Sequence, residues 1–240
     1  MNIHIILQGK GGVGKSVIAA MIAQYKESKG QTPICVDTDP VNATFAGYRS
    51  LNVKRIQIME DEEIKPRNFD LLIELIANAQ DDVVIDNGAS SFVALSHYLI
   101  TQQVPALVKS MGHELLVHTV ITGGQAQLDT INGFQQLARQ FPIDALFCVW
   151  LNPFWGKIEH DGKGFEEMRA YQDHQARVSG LVRIPTLRED TFGQDFGDML
   201  QARLTFAEAI AMPDKPIMVR QRLKMVQKEL FESMASTKVL

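Results

Sequence analysis

Eight residues near the N-terminus, Gly9 to Ser16, read G-K-G-G-V-G-K-S and constrain the fold more than any other stretch of the chain. They fit the phosphate-binding pattern G-x-x-x-x-G-K-[ST], in which a strand runs into a glycine-rich turn that opens onto a helix. Glycines let the backbone pass through positive φ and bring several N–H groups against phosphate oxygens with no Cβ in the way. Lys15 offers a point charge to β- and γ-phosphates, and the Ser16 hydroxyl a ligand to Mg²⁺. The helix N-terminus adds unpaired N–H groups and a dipole that favours an anion. Ile3 to Leu7 is a short apolar run suited to the buried strand. Val17 to Gln24 continues as an apolar helix that should end near Lys29-Gly30, with the glycine as cap.

Gly9, Gly11 and Gly14 also spell G-x-G-x-x-G, the dinucleotide-binding turn, and Asp37 stands about where that motif needs a ribose-binding acid. Lys15-Ser16 decides between the two, because a phosphate loop needs that pair and a dinucleotide turn does not.

The next apolar runs end in acids. Pro33 to Pro40 (P-I-C-V-D-T-D-P) is a buried strand leading into Asp37 and Asp39. Asp82 to Asp86 (D-V-V-I-D) is another, followed by the small polar residues Asn87 to Ser91. In a parallel sheet ligands gather at the carboxyl ends of strands. Asp37 and Asp39 can there hold Mg²⁺-bound waters or orient an attacking water, and Asp86 is placed as a second Mg²⁺-side acid. Leu115 to Thr122, Asp144 to Asn152 and Leu181 to Pro185 supply further strands, the second ending in Asn152-Pro153. An asparagine there can read a base edge or cap the following turn. Helices are expected over Phe69 to Ala79, over Phe92 to Met111 with a break near Pro105, and from about Gln125 to Phe141. Alternating strands and helices predict an α/β fold: one doubly wound, mostly parallel sheet over residues 1–240.

Composition narrows the function. At 240 residues the chain fits one large α/β domain, and no Pro/Ser-rich linker divides it. A net charge of −4 gives no overall pull toward nucleic acid or anionic membrane. No leader or membrane-spanning run is evident, so a cytoplasmic protein is expected. Cys35 and Cys148 each sit in an apolar run and read as core. His113 and His118 do not match the helical zinc spacing, and all six histidines read as structural or surface residues. Lys54 to Lys65 reads as a short strand and a solvated loop, and Phe154 to Gly164 as a polar loop with two aromatics and no chemistry of its own. Val219, Leu223, Val226, Leu230 and Met234 form a helical stripe, so an amphipathic helix over about 217–235 should dock on the domain.

Lys10, directly after the first glycine, makes the loop resemble the deviant phosphate loop of ParA/MinD-type ATPases. Asp37-Thr38-Asp39-Pro40 with Asn42-Ala43-Thr44 resembles that family's first switch, and Asp86 its second-switch acid. Asn152 resembles its base-side asparagine, and Ile184-Pro185 its adenine-side element. The resemblance implies ATP and Mg²⁺ as cofactors and a P-loop NTPase fold. It implies that Gly9, Lys10, Gly11, Gly12, Val13, Gly14, Lys15, Ser16, Val17, Asn152 and Pro185 surround the nucleotide. It further implies that Ser16, Asp37 and Asp86 lie on the metal side, and that Lys10, Lys15 and Asp39 carry catalysis. Two subunits would face each other across two ATP molecules, with Lys10 of one reaching phosphates held by the other.

The chain also resembles, along its whole length, proteins of IncP-type plasmid conjugation systems. This is carried by V-D-T-D-P-V-N-A-T, V-V-I-D-N-G-A-S-S-F and W-L-N-P, and implies a protein partner in the transfer machinery. Two departures from the ATPase pattern, Val41 in place of a glutamine and Asn87-Gly88-Ala89 in place of a proline turn, bear on the rate of hydrolysis. Two other functions share the motif: a nucleotide-binding adaptor with little turnover, and a small-molecule kinase or synthetase of the same fold. Direct DNA binding has the weakest support.

Overall fold

A computed structural model of the chain describes residues 1–237 and 239–240. Its strands are β1 (Asn2–Ile6), β2 (Ile34–Asp37), β3 (Lys54–Arg55), β4 (Met59–Glu60), β5 (Glu63–Ile64), β6 (Val83–Asp86), β7 (Glu114–Thr122), β8 (Ala145–Asn152), β9 (Glu159–His160), β10 (Lys163–Gly164) and β11 (Val178–Arg183). Seven form one sheet in the order β11-β8-β7-β1-β6-β2-β3, and every pairing in it is parallel. β1 therefore runs between β6 and β7, and the turns after β1, β2, β6, β7, β8 and β11 all emerge at one edge.

The helices are α1 (Lys15–Ser28), α2 (Asp70–Ala77), α3 (Phe92–Thr101), α4 (Val104–Ser110), α5 (Gln127–Gln140), α6 (Arg169–Gln172), α7 (Gln194–Gln201), α8 (Phe206–Ala211) and α9 (Ile217–Ala235). Parallel strands must be covered on both faces, and their side chains alternate between the two. Ile6, Val120, Trp150 and Val182 pack under α1, α7, α8 and α9. Ile3, Ile5, Ile85 and Val117 pack under α2, α3 and α4, reaching Leu137 of α5. Leu223, Val226, Leu230 and Met234 bury the inner stripe of α9 against the first layer, where the sequence stripe places them.

Local chemistry sets several boundaries. α1 ends at Lys29 as cap with Gly30 just beyond it at φ 77°, in the left-handed region that suits glycine. The break expected near Pro105 falls at Gln102-Gln103 instead, with Gln103 at φ 53°. Pro105 then lies in the first turn of α4, where its missing N–H has no partner to lose. Lys54 to Lys65 and Phe154 to Gly164 each contain a two-stranded hairpin, β4–β5 and β9–β10. The latter turns on Asp161-Gly162, both at positive φ.

Two histidines lie inside the first core layer. Trp150 Nε1 donates to His118 Nδ1 at 2.9 Å, and His118 Nε2 lies 2.9 Å from His4 Nδ1. Since the indole donates, His118 carries its proton on Nε2 and donates it in a hydrogen bond to His4 Nδ1. Burial holds both imidazoles neutral by lowering their pKa values. At the rim Lys26 Nζ sits 2.8 Å from Asp82 Oδ2, and Asp82 Oδ1 accepts from the Asn2 N–H at 2.7 Å. Burial alone would raise the Asp82 carboxyl, but the nearby His4 ring, the Asn2 N–H and the Lys26 ammonium hold it well below the usual range. Removing one member of such a pair strands the other charge. Asp82→Asn should destabilise the fold by about 3 kcal/mol in urea unfolding. Lys26→Met combined with Asp82→Asn should cost clearly less than the two single losses added.

Candidate nucleotide site

β1 delivers the chain to the sheet edge, and Leu7 N–H still bonds the His118 carbonyl at 2.8 Å before the phosphate loop begins. Gly12 and Gly14 adopt φ values of 74° and 101°, which side chains with a Cβ rarely tolerate. Gly14 caps α1, so the loop ends on that helix's free N–H groups. Gln8 is buried behind the loop; its Nε2 donates to the Val120 and Thr130 carbonyls, anchoring the turn to β7 and α5.

A cavity of about 530 Å³ opens in front of the loop, lined by Gly11, Gly12, Gly14, Lys15, Ser16 and Val17 together with Asp39, Asn42, Thr44 and Ser90. Lys15 is buried, and its Nζ donates to the Lys10 carbonyl at 2.9 Å. Burial lowers the Lys15 pKa, opposed by Asp86 and Asp39. Asp86 ends β6 beside this lysine, and its Oδ1 is buried with no hydrogen-bond partner. Burial pushes its carboxyl up to about 7, opposed by the Ser16 hydroxyl and, after the neighbouring Asp37 charge, by Lys15. An orphaned carboxylate oxygen beside a serine hydroxyl fits Mg²⁺, which binds through one or two protein oxygens plus waters and phosphates. Among the described residues no group of three or more His, Cys, Asp or Glu could hold a metal without such help.

Asp37 and Asp39 divide the work at the end of β2. Asp37 accepts from Asp39 N–H and Ala46 N–H, each at 2.9 Å, so its two oxygens shape the first switch segment. Asp39 Oδ1 accepts from Val41 and Asn42 N–H, and the carboxylate faces the cavity. A Cβ on Gly88 would lie 2.6 Å from the Asp39 carboxyl carbon, so the segments after β2 and β6 touch where only glycine fits.

Lys10 and Asn152 are less simply placed. The Lys10 ammonium forms a 2.7 Å ion pair with Asp129 on α5, both side chains being roughly half exposed. Asn152 is buried; its Nδ2 donates to the Val13 carbonyl at 3.0 Å and its Oδ1 accepts from Phe154 N–H at 3.2 Å. It thus caps its turn and holds the loop from behind. Pro185 follows β11 at the same edge, outside the residues that line the phosphate cavity. Val13 is buried, and Gly9 abuts the Phe92 ring.

The loop from Phe154 to Gly164, which dictates no chemistry in the sequence, contributes one contact to the site. Trp155 Nε1 donates to the Gly12 carbonyl at 3.2 Å, within the phosphate loop. Asp129 and Gln8 are further contributors that the motif does not contain.

Fold and site together define a P-loop nucleotide-binding protein. The family model described as the CobQ/CobB/MinD/ParA nucleotide binding domain matches residues 4–184, and the chain belongs to that family. Over its full length it is 66% identical to Protein TraL of Escherichia coli, covering 99% of that protein, and 63% identical to a second Protein TraL from the same species. Among solved structures it resembles MinD in a MinC:MinD cell division complex of Aquifex aeolicus, with a TM-score of 0.53 at 14% identity, over 94% of this chain and 95% of that one. A plasmid partition protein of Borrelia burgdorferi bound to AMPPNP gives 0.51 at 14% identity, over 98% of each chain. These structures share the fold with this chain.

Asp86 gives the site a pH signature. Its raised pKa means that ionisation costs the folded protein stability as pH climbs from about 4 to about 7. Asp86→Asn should therefore stabilise the nucleotide-free protein at pH 8, by at most about 4 kcal/mol. The gain should fade toward pH 5, and paired urea titrations of both proteins at the two pH values measure it.

Proposed function

We propose that this chain is a Mg²⁺-dependent ATPase that acts as a nucleotide-controlled dimeric switch in plasmid conjugative transfer. The observation that carries the reading is Lys10: a charged side chain on the rim of its own phosphate loop, held among the described residues only by an exposed ion pair. Such pairs contribute about 0.2–1 kcal/mol, so Asp129 restrains Lys10 without locking it. A phosphate group offers the ammonium a stronger, charge-assisted partner. Lys10 of one subunit then reaches the phosphates held by the other, and dimerisation depends on nucleotide.

Within each site the loop amides and Lys15 hold the β- and γ-phosphates, and Asn42 and Thr44 line the side on which the first switch closes. Asp39 orients the attacking water. Bound Mg²⁺ neutralises phosphate charge and would rest against Ser16 and the free Asp86 oxygen. Added charge where it develops in phosphoryl transfer favours turnover, while Val41 and Asn87-Gly88-Ala89 point to a slow rate. ATP-bound and ATP-free forms then differ in affinity for a partner, which for this chain is a protein of the transfer machinery. The conjugative role rests on the resemblance to plasmid transfer proteins and on the identity to Protein TraL. The described helices include none long and apolar enough to cross a membrane.

A non-hydrolysable ATP analogue with Mg²⁺ should convert the wild type to a dimer in light scattering after sizing. Lys10→Ala should stay monomeric, and Asp129→Ala should dimerise at lower analogue concentration. A Lys10→Ala protein that dimerises like the wild type would sink the switch mechanism. Phosphate release should be measurable in the wild type and lost in Asp39→Ala; turnover absent from both would favour the adaptor.

A further inference from the structure

The turn after β8 holds two successive carbonyls of the phosphate loop. Asn152 Nδ2 takes that of Val13, and Trp155 Nε1 takes that of Gly12. A trans peptide is planar, with its C=O and the following N–H on opposite sides. Holding the Gly12 and Val13 carbonyls toward the β8 turn therefore directs the Val13 and Gly14 N–H groups away from it. Among the described residues neither of these N–H groups reaches a protein acceptor. Loop amides of this kind are what a phosphate needs.

Trp155 is itself fixed by close backbone packing. A Cβ on Gly124, at φ +66°, would lie 2.5 Å from the Trp155 carbonyl oxygen, and one on Gly123 would lie 2.3 Å from that of Gly156. The aromatic turn is thus wedged between the glycine turn after β7 and the phosphate loop. Phe154 packs edge-on against the indole with ring centroids 4.9 Å apart. Trp155 stays 56% exposed, so its ring fills no core, and its one polar atom reaches the phosphate loop.

We propose that Trp155 is a positioning residue of the phosphate loop: its indole N–H fixes the Gly12–Val13 peptide so that the Val13 N–H meets the phosphates of a bound nucleotide. The role belongs to the hydrogen bond and not to the ring. The inference rests on the nucleotide-binding reading above.

The test is calorimetric titration of a non-hydrolysable ATP analogue with Mg²⁺ into wild type, Trp155→Phe, Trp155→His and Trp155→Leu, with melting of each nucleotide-free protein. Trp155→Phe keeps a ring and loses the donor, and should bind roughly five- to tenfold more weakly with an unchanged melting temperature. Trp155→His, which retains a ring N–H, should recover part of the loss. The other tryptophan, Trp150, is buried, so the emission change caused by nucleotide in the wild type should vanish in Trp155→Phe. Wild-type affinity in Trp155→Phe overturns the inference, as does a loss confined to Trp155→Leu, which would assign the role to the ring. A weaker Trp155→Phe that also melts lower without nucleotide would assign a merely structural role and overturn it too. A wild type that does not bind the analogue overturns the nucleotide reading itself.

Discussion

The site buries two opposite charges, Asp86 and Lys15, that offset each other only in part. Asp86 ends β6 with one carboxylate oxygen unpartnered, and Lys15 is buried at the start of α1 with only a backbone carbonyl as acceptor. Burying ionised groups without good partners is costly. The protein relieves part of that cost by drawing both groups toward their neutral forms. A polyphosphate with its cation would relieve it by supplying opposite charge to each.

The sheet order makes this arrangement possible. β1 lies between β6 and β7, and β8 lies one strand further, so the phosphate loop is flanked by Asp86 on one side and by the turns carrying Gly124 and Trp155 on the other. The first switch is shaped by Asp37, whose oxygens are consumed by backbone N–H groups, while Asp39 remains turned to the cavity. Asp37 spends both carboxylate oxygens on backbone N–H groups, whereas Asp39 spends one. The buried Trp150–His118–His4 chain lies within the sheet, and the Lys26–Asp82 pair ties α1 to the start of β6 at its rim.

What the sequence made legible was local. A phosphate loop declares itself because its chemistry is written in eight contiguous residues, and the apolar runs ending in Asp37, Asp86 and Asn152 place their tips at the ligand-binding edge. Lys10 stood out for the same reason. Its resting partner did not, because Asp129 lies 119 residues away and meets it only through the pairing of β7 with β1. Trp155 is 143 residues from Gly12, and nothing in F-W-G-K distinguishes a ring that touches a phosphate loop from one in a solvated turn. Asn152, expected on the base side, spends its side chain on turn capping and loop support, which no spacing reveals. The β9–β10 hairpin was readable from Asp161-Gly162, but its strands of two residues are too short for periodicity to register.

The central claim is that this edge binds a nucleoside triphosphate through Lys15 and the loop amides. Its most direct test is equilibrium binding of a non-hydrolysable ATP analogue with Mg²⁺ to wild type and to Lys15→Ala, with the fold of both verified by circular dichroism. Saturable one-to-one binding in the wild type, weakened at least a hundredfold in a folded Lys15→Ala, is the predicted result. Equal affinity in the two folded proteins, or no binding in either, would contradict the account.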